Sequence, residues 1–176
     1  MANLFVYGTL LSNAVDALGA RSRARLDGEG MRLGEGTCAG RLIDLGDYPG
    51  LLASGTAGQI IHGEIIRLRD PAATFAWLDA YEDIDPADPS AGPYRRGLRP
   101  VRLDRARTVL CWLYLLRQAP RGAAPVRNGD WLSHCRIRKA RASALADRLY
   151  RGTSVEDAGG PKNIAANSAG AGVVAR

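Results

Sequence analysis

The sequence predicts an α+β fold with a largely antiparallel or mixed sheet. Three observations carry that expectation. A helix-like stretch stands mid-chain, strand-like runs lie on both sides of it, and a second helical pattern follows them. The regular strand–helix alternation of a doubly wound parallel sheet is missing. At 176 residues, 46% of them hydrophobic, the chain supports one domain with a real core.

The elements follow in order. Residues 3–8 read as a buried strand, because Leu4, Phe5, Val6 and Tyr7 run without a charge into Gly8. "NAVDALGARSRARL" is a short helix or loop that carries Arg21, Arg23 and Arg25 to solvent. "EGTCAGRLIDLG" alternates well enough for a second strand, and Pro49-Gly50 in "DYPGLLASG" marks a turn. "GQIIHGEIIRL" is the clearest strand, rich in isoleucine and apolar on both faces. Asp70 and Pro71 supply an N-cap and a first-turn proline for the helix "AATFAWLDAYED". After the proline-rich loop "IDPADPSAGP", "YRRGLRPVRLD" and "TVLCWLYLLR" form a hairpin pair of strands. "NGDWLSHCRIRKARASALADRLYR" gives a turn and a last helix, completing a domain over residues 1–151. Residues 152–176 are rich in Gly and Ala and poor in large apolar side chains. Such a tail buries too little surface to offset its ordering entropy and is predicted to be disordered.

Charge and cysteine usage narrow the function. The formal net charge is +6, nearly all of the positive charge arginine, with only Lys139 and Lys162 as lysines. The densest basic run, residues 134–151, has no aromatic platform or nucleic-acid motif beside it. It reads as a solvated helix flank, so a nucleic-acid partner is not expected. Cys38, Cys111 and Cys135 are odd in number and widely spaced, and no histidine stands at zinc-ligand spacing; neither disulfide framework nor metal is expected. Cys111, inside an apolar strand, reads as an inert core thiol. No basic region precedes an apolar one near Met1, and no apolar run approaches the roughly 18 residues of a membrane helix. The expectation is a cytoplasmic protein without a membrane partner, a monomer or weak dimer.

Motifs for nucleotide chemistry fail on context. "GEGMRLGEG" repeats GxG, but a strand follows where a dinucleotide loop needs a helix. There is no P-loop and no GxSxG elbow. His62, alone in "QIIHGEII", reads as structural rather than as a base. The carboxylates are more informative. Phe75, Leu78 and Glu82 stand at i, i+3 and i+7, so two apolar residues that seek the core carry Glu82 inward with them. Glu82 also falls at the helix end where the dipole disfavours negative charge, and both effects raise its proton affinity. Two readings stand at this point. Glu82 is an acid–base group, or it turns to solvent or to an arginine such as Arg95. Glu64, in "HGEII", is the second inward carboxylate, for which a pairing with a basic neighbour is the stronger reading.

"FVYGTLL", "DLGDYPGL", "HGEII", "WLDAYED" and "YRRGLRPV" occur in that order. The ordered set resembles the gamma-glutamylcyclotransferase-like superfamily, most closely the branch of AIG2-like proteins and gamma-glutamylamine cyclotransferase. The resemblance covers roughly residues 4–117, with a terminal helix to about 150. It implies a small mixed β-barrel with flanking helices. It further implies that Tyr7, Gly8, Thr9 and Leu10 hold a small-molecule gamma-glutamyl substrate and that Glu82, in "LDxYE", transfers protons. Tyr48, Tyr94, Arg95 and Tyr114 are further substrate contacts on this reading. Gly8 would let the backbone turn closely past the ligand, and successive loop N–H groups would hold a carboxylate. The implied reaction is attack of the substrate's α-amine on its own side-chain amide, which releases 5-oxoproline and an amine without any cofactor. The alternative is a non-catalytic small-molecule or partner-binding module on the same barrel, with Glu82 as a ligand contact. The sequence departs from the pattern at "DIDPADPSAG", which is longer than a simple "YEG" continuation.

Overall fold

The computed structural model describes residues 1–15, 17–53, 58–105 and 107–152. The elements are β1 (Ala2–Val6), α1 (Ala20–Glu29), β2 (Gly30–Asp44), β3 (Pro49–Leu52) and β4 (Gln59–Leu68). They continue with α2 (Pro71–Tyr81), β5 (Tyr94–Arg102), β6 (Thr108–Leu116), β7 (Ala124–Pro125) and α3 (Trp131–Gly152). Residues 1–138 form one compact unit, which holds the barrel. The second unit begins at Lys139; its described part is the rest of α3, with residues 139–150 exposed. Gly152 ends α3, and the expected disordered tail otherwise lies outside the described residues.

Five strands close into a mixed barrel. β1 pairs antiparallel with β4, from Ala2↔Leu68 to Val6↔Glu64, and β4 pairs antiparallel with β2. β2 pairs antiparallel with β3 through Leu42↔Leu51. Two parallel contacts complete the ring, β3 with β6 at Leu52↔Leu116 and β6 with β1 at Leu4↔Trp112. β5 lies antiparallel along β6 and reaches β2 at Thr37↔Arg102, and β7 pairs with the end of β2.

Side-chain alternation explains why Leu4–Val6 of β1 and Val109–Leu113 of β6 are apolar on both faces. Phe5 and Tyr7 join Leu42, Leu51, Ile61, Ile65, Cys111 and Leu113 in the cluster that fills the ring. Leu4 and Val6 point the other way and join Ile66, Leu68 and Tyr114 under Leu26 of α1 and Phe75 and Leu78 of α2. Leu26 and Leu78 are fully buried, each worth about 1.5–3 kcal/mol relative to exposure.

Three expectations change. Pro49-Gly50 is the start of β3, paired with Asp44 and Ile43, and no turn. The turn lies just before it. There the Leu45 N–H donates to the Tyr48 carbonyl at 3.1 Å, and the Gly46 N–H donates to the Asp44 carboxylate at 2.8 Å. A proline is tolerated as the first residue of a strand. β4 is apolar on both faces only in its second half, since Ile60 and His62 are exposed. β2 starts at Gly30, inside the glycine repeat, well before the expected "EGTCAG".

Helix α2 begins as expected, with the Asp70 carboxylate accepting from the Ala73 N–H at 3.1 Å and Pro71 following. It ends at the cap residue Glu82. Asp83 adopts φ 54°, the Ile84 N–H donates to the Asp79 carbonyl at 2.8 Å, and the Asp83 N–H donates to the Ala80 carbonyl at 3.3 Å. This is the Schellman pattern, with aspartate where glycine or asparagine is usual.

Candidate active site

Where β1 ends, the chain turns over the rim of the barrel and meets the end of α2. A cavity of about 240 Å³ lies there. Tyr7, Gly8, Thr9 and Leu10 line it from the loop, and Tyr48 and Pro49 line it ahead of β3. Tyr81, Glu82 and Asp83 close it from α2, and Tyr94 and Tyr114 reach it from β5 and β6. Arg95 is not among the lining residues. On β5, Tyr94 and Arg96 share one face and Arg95 takes the other.

The walls are held by hydrogen bonds from the tyrosines. The Tyr7 hydroxyl donates to the Tyr114 carbonyl at 2.7 Å, and the Tyr94 hydroxyl donates to the Pro49 carbonyl at 3.3 Å. The Tyr114 hydroxyl donates to Oδ1 of Asp79 at 2.8 Å. Thr9 Oγ1 and the Tyr81 hydroxyl lie 3.2 Å apart. The loop itself turns through a 3.1 Å bond from the Leu11 N–H to the Gly8 carbonyl. The N–H groups of Gly8, Thr9 and Leu10 have no hydrogen-bond partner among the described residues. Gly8 is required here for packing, since its φ is not positive. A Cβ added to it would stand 2.8 and 2.9 Å from Cγ and Cδ of Pro49, so the proline ring fills the space beside its Cα.

Glu82 is half-buried on the cavity wall, and its side chain accepts no hydrogen bond among the described residues. Burial, then the neighbouring charges of Asp83 and Asp79, push its carboxyl up to about 7. Burial, reinforced by the Glu82 charge, raises the Tyr7 and Tyr94 hydroxyls. Burial and the bond to Asp79 raise Tyr114. Three hydroxyls therefore stay protonated around one carboxyl that changes charge near neutrality. Such a group takes a proton and returns it without a large driving force in either direction.

Glu64 and His62 lie elsewhere, in a second cleft of about 600 Å³ with Glu35, Arg102 and Arg136. The Glu64 carboxylate accepts from the Ser12 N–H at 3.0 Å and also bonds the Ser12 hydroxyl and Arg32. Cys38, Cys111 and Cys135 are buried. Among the described residues no cluster of acids, histidines and cysteines could hold a metal, and no helix is long and apolar enough to cross a membrane.

Sequence reasoning missed Asp79 and Arg96. Arg96 donates to both Asp79 oxygens, at 2.8 and 2.7 Å, beside the Tyr114 hydroxyl. A signal was present, since Asp79 stands one helical turn before Glu82 and Arg96 shares a strand face with Tyr94.

The family model described as gamma-glutamyl cyclotransferase, AIG2-like, matches residues 4–133. No curated protein sequence matches the chain. Among solved structures, YkqA from Bacillus subtilis is similar at 19% identity and a TM-score of 0.58, over 79% of this chain and 42% of that one. The chain thus spans less than half the length of that relative. The uncharacterized protein PH0828 from Pyrococcus horikoshii is similar at 18% identity and a TM-score of 0.55, over 80% and 98% of the two chains. An AIG2-like protein from Mus musculus is similar at 24% identity and a TM-score of 0.51, over 69% and 80%. The chain belongs to the gamma-glutamyl cyclotransferase, AIG2-like family.

Proposed function

From that membership we propose that the cavity binds a gamma-glutamyl compound and that Glu82 moves the proton in its cyclisation to 5-oxoproline. The observation that carries the reading is the state of Glu82: half-buried on the cavity wall, unbonded among the described residues, and titrating at about 7. The substrate's α-amine has an ordinary pKa of about 8 and arrives mostly as ammonium. Ionised Glu82 takes one proton from it. The freed nitrogen attacks the side-chain amide carbon, and Glu82 returns its proton to the departing nitrogen as the bond between that nitrogen and the carbon breaks. The second proton shed by the attacking nitrogen follows it, so the amine leaves as an ammonium ion. No external nucleophile enters, because attacking and attacked atoms belong to one molecule. The three N–H groups of Gly8, Thr9 and Leu10, without a partner among the described residues, suit the substrate's carboxylate. Tyr48 and Tyr81, exposed at the rim, suit the part of the substrate that leaves.

The test is incubation with a panel of gamma-glutamyl peptides and amides, reading 5-oxoproline while binding is followed by calorimetry. Release from at least one compound is expected. Saturable binding with no release from any would make the protein a binding module and defeat the proposal.

A further inference from the structure

We propose that Asp79 is the positioning residue of this site: through Arg96 and Tyr114 it pins the end of α2, and with it Glu82, to the barrel wall that carries Tyr7. The inference rests on Glu82 being the proton-transferring group.

Asp79 is held at both of its ends. Its carboxylate takes two contacts from one Arg96 nitrogen, at 2.8 and 2.7 Å, and a third from the Tyr114 hydroxyl at 2.8 Å. Its backbone carbonyl accepts the Glu82 N–H at 3.2 Å and the Ile84 N–H at 2.8 Å. The side chain thus fastens the helix to β5 and β6, while the main chain of the same residue fixes the turn that carries Glu82. The anchor is itself rigid. The Arg96 guanidinium lies 4.2 Å from the ring centroid of Phe75 and 5.4 Å from that of Trp112. Tyr114 lends its carbonyl to the Tyr7 hydroxyl at 2.7 Å, so one strand residue ties both walls of the cavity together. The carboxylate of Asp79 does not line the cavity. It acts through Glu82, in place and in charge.

The charge has a definite sign. The groups that face Glu82 are Asp79, Asp83 and Tyr81 from the end of α2, Tyr7 from the loop after β1, and Tyr48 ahead of β3. Tyr94 faces it from β5 and Tyr114 from β6, with Arg96 behind Asp79. Tyr7, Tyr94 and Tyr114 are held protonated, so they add no charge in the neutral range. Asp79 favours the protonated form of Glu82, and Arg96, paired with Asp79 at 2.7 Å, carries the opposite charge. Removing one partner or the other must therefore move Glu82 in opposite directions, which loss of packing alone would not do.

The experiment compares Asp79→Asn, Arg96→Gln and Tyr114→Phe with wild type. It measures 5-oxoproline release against pH together with NMR titration of the carboxyl carbon of selectively labelled Glu82. For Asp79→Asn, kcat should fall by about tenfold to a hundredfold, as expected of a misplaced catalytic group. KM should change much less, and the Glu82 titration and the acidic limb should both move to lower pH. For Arg96→Gln both should move to higher pH. Tyr114→Phe keeps the ion pair, so it should lower kcat with the limb in place; it also stands in if Asp79→Asn does not fold. Titrations of Glu82 that stay put in both charge variants, or move together, would overturn the proposal. Titrations that move as expected in a protein that releases no 5-oxoproline would uphold the positioning and defeat the cyclotransferase reading instead.

Discussion

Glu64 and Glu82 are both carried inward by apolar neighbours on either side of the loop after β1, and the molecule treats them in opposite ways. Glu64 is surrounded by donors: the Ser12 backbone, the Ser12 hydroxyl and Arg32, which also bonds Asp27 at 2.8 Å. Glu82 has two acids as its nearest charged influences and no bonded donor among the described residues. The first arrangement ties the carboxylate to its donors and fastens Ser12, which sits two residues past Leu10 of the cavity wall. The second leaves a carboxyl undecided between its two states at neutral pH. A buried acid becomes a tie or a proton carrier according to what surrounds it.

The sharpest way to break this contrast is to make each acid an amide. Glu82→Gln keeps size and polarity but exchanges no proton, so turnover should fall by about 10² to 10⁴ while binding of 5-oxoproline persists. Parallel kinetics and calorimetry check it, and turnover within a few-fold of wild type would shift the role elsewhere. The same variant tests the electrostatics through stability. Folding raises this carboxyl from an ordinary 4.5 to about 7, so between those values the native state holds more protons than the unfolded chain. Wild-type stability should therefore fall as pH rises from 4.5 to 7, with an upper bound on the order of 3 kcal/mol from this group. Denaturant titrations at both pH values should show a shallower fall for Glu82→Gln.

Glu64→Gln should do the reverse. It weakens charged hydrogen bonds and should lower stability by about 1–3 kcal/mol, read by urea unfolding. Its effect on turnover should be far below that of Glu82→Gln, and a comparable loss of turnover would erase the distinction between the two acids. Gly8→Ala comes next, because its methyl would press on the stiff Pro49 ring and the loop must shift. An overpacking loss of about 1–3 kcal/mol with a raised KM is expected, and an unchanged KM would separate the loop's packing from its role toward ligand. The smallest effect concerns thiols. Burial holds Cys38 and Cys111 at about 12, so native alkylation should leave both unlabelled by mass spectrometry and turnover intact.

What the sequence revealed depended on whether a signal was local. The Asp70-Pro71 cap, the isoleucine-rich β4 and the β5–β6 pair are written in neighbouring residues, and they stand where the pattern placed them. Helical spacing put Glu82 on the inward face with Phe75 and Leu78, where the structure has it half-buried on the cavity wall, and left its role open. β2 was hidden by its own glycines, which look like loop in isolation. In the barrel, Gly36 and Gly40 are where Ile65, Val101 and Leu51 press on the strand, and a Cβ would stand 2.9 Å or less from those side chains. Pro49-Gly50 misled for a related reason, since its partner strand lies upstream and only pairing shows that it is extended. Arg95 was misplaced by one step of strand alternation. Asp79 belongs to a network whose members lie 17 and 35 positions away, so its place one helical turn before Glu82 hints at it without naming its partners.

The parallel contact between β1 and β6 also orders events during synthesis. Tyr7 and Tyr114 are 107 positions apart, and closing so long a stretch of chain is entropically expensive until the intervening strands have shortened the path. The first strand leaves the ribosome early and can pair with β4 once residue 68 is free, yet its other edge waits for β6. A nascent chain cut short before β6 lacks Tyr114 of the cavity lining, and with it the carbonyl that holds the Tyr7 hydroxyl. The cavity lining is thus completed late, when the seam shuts.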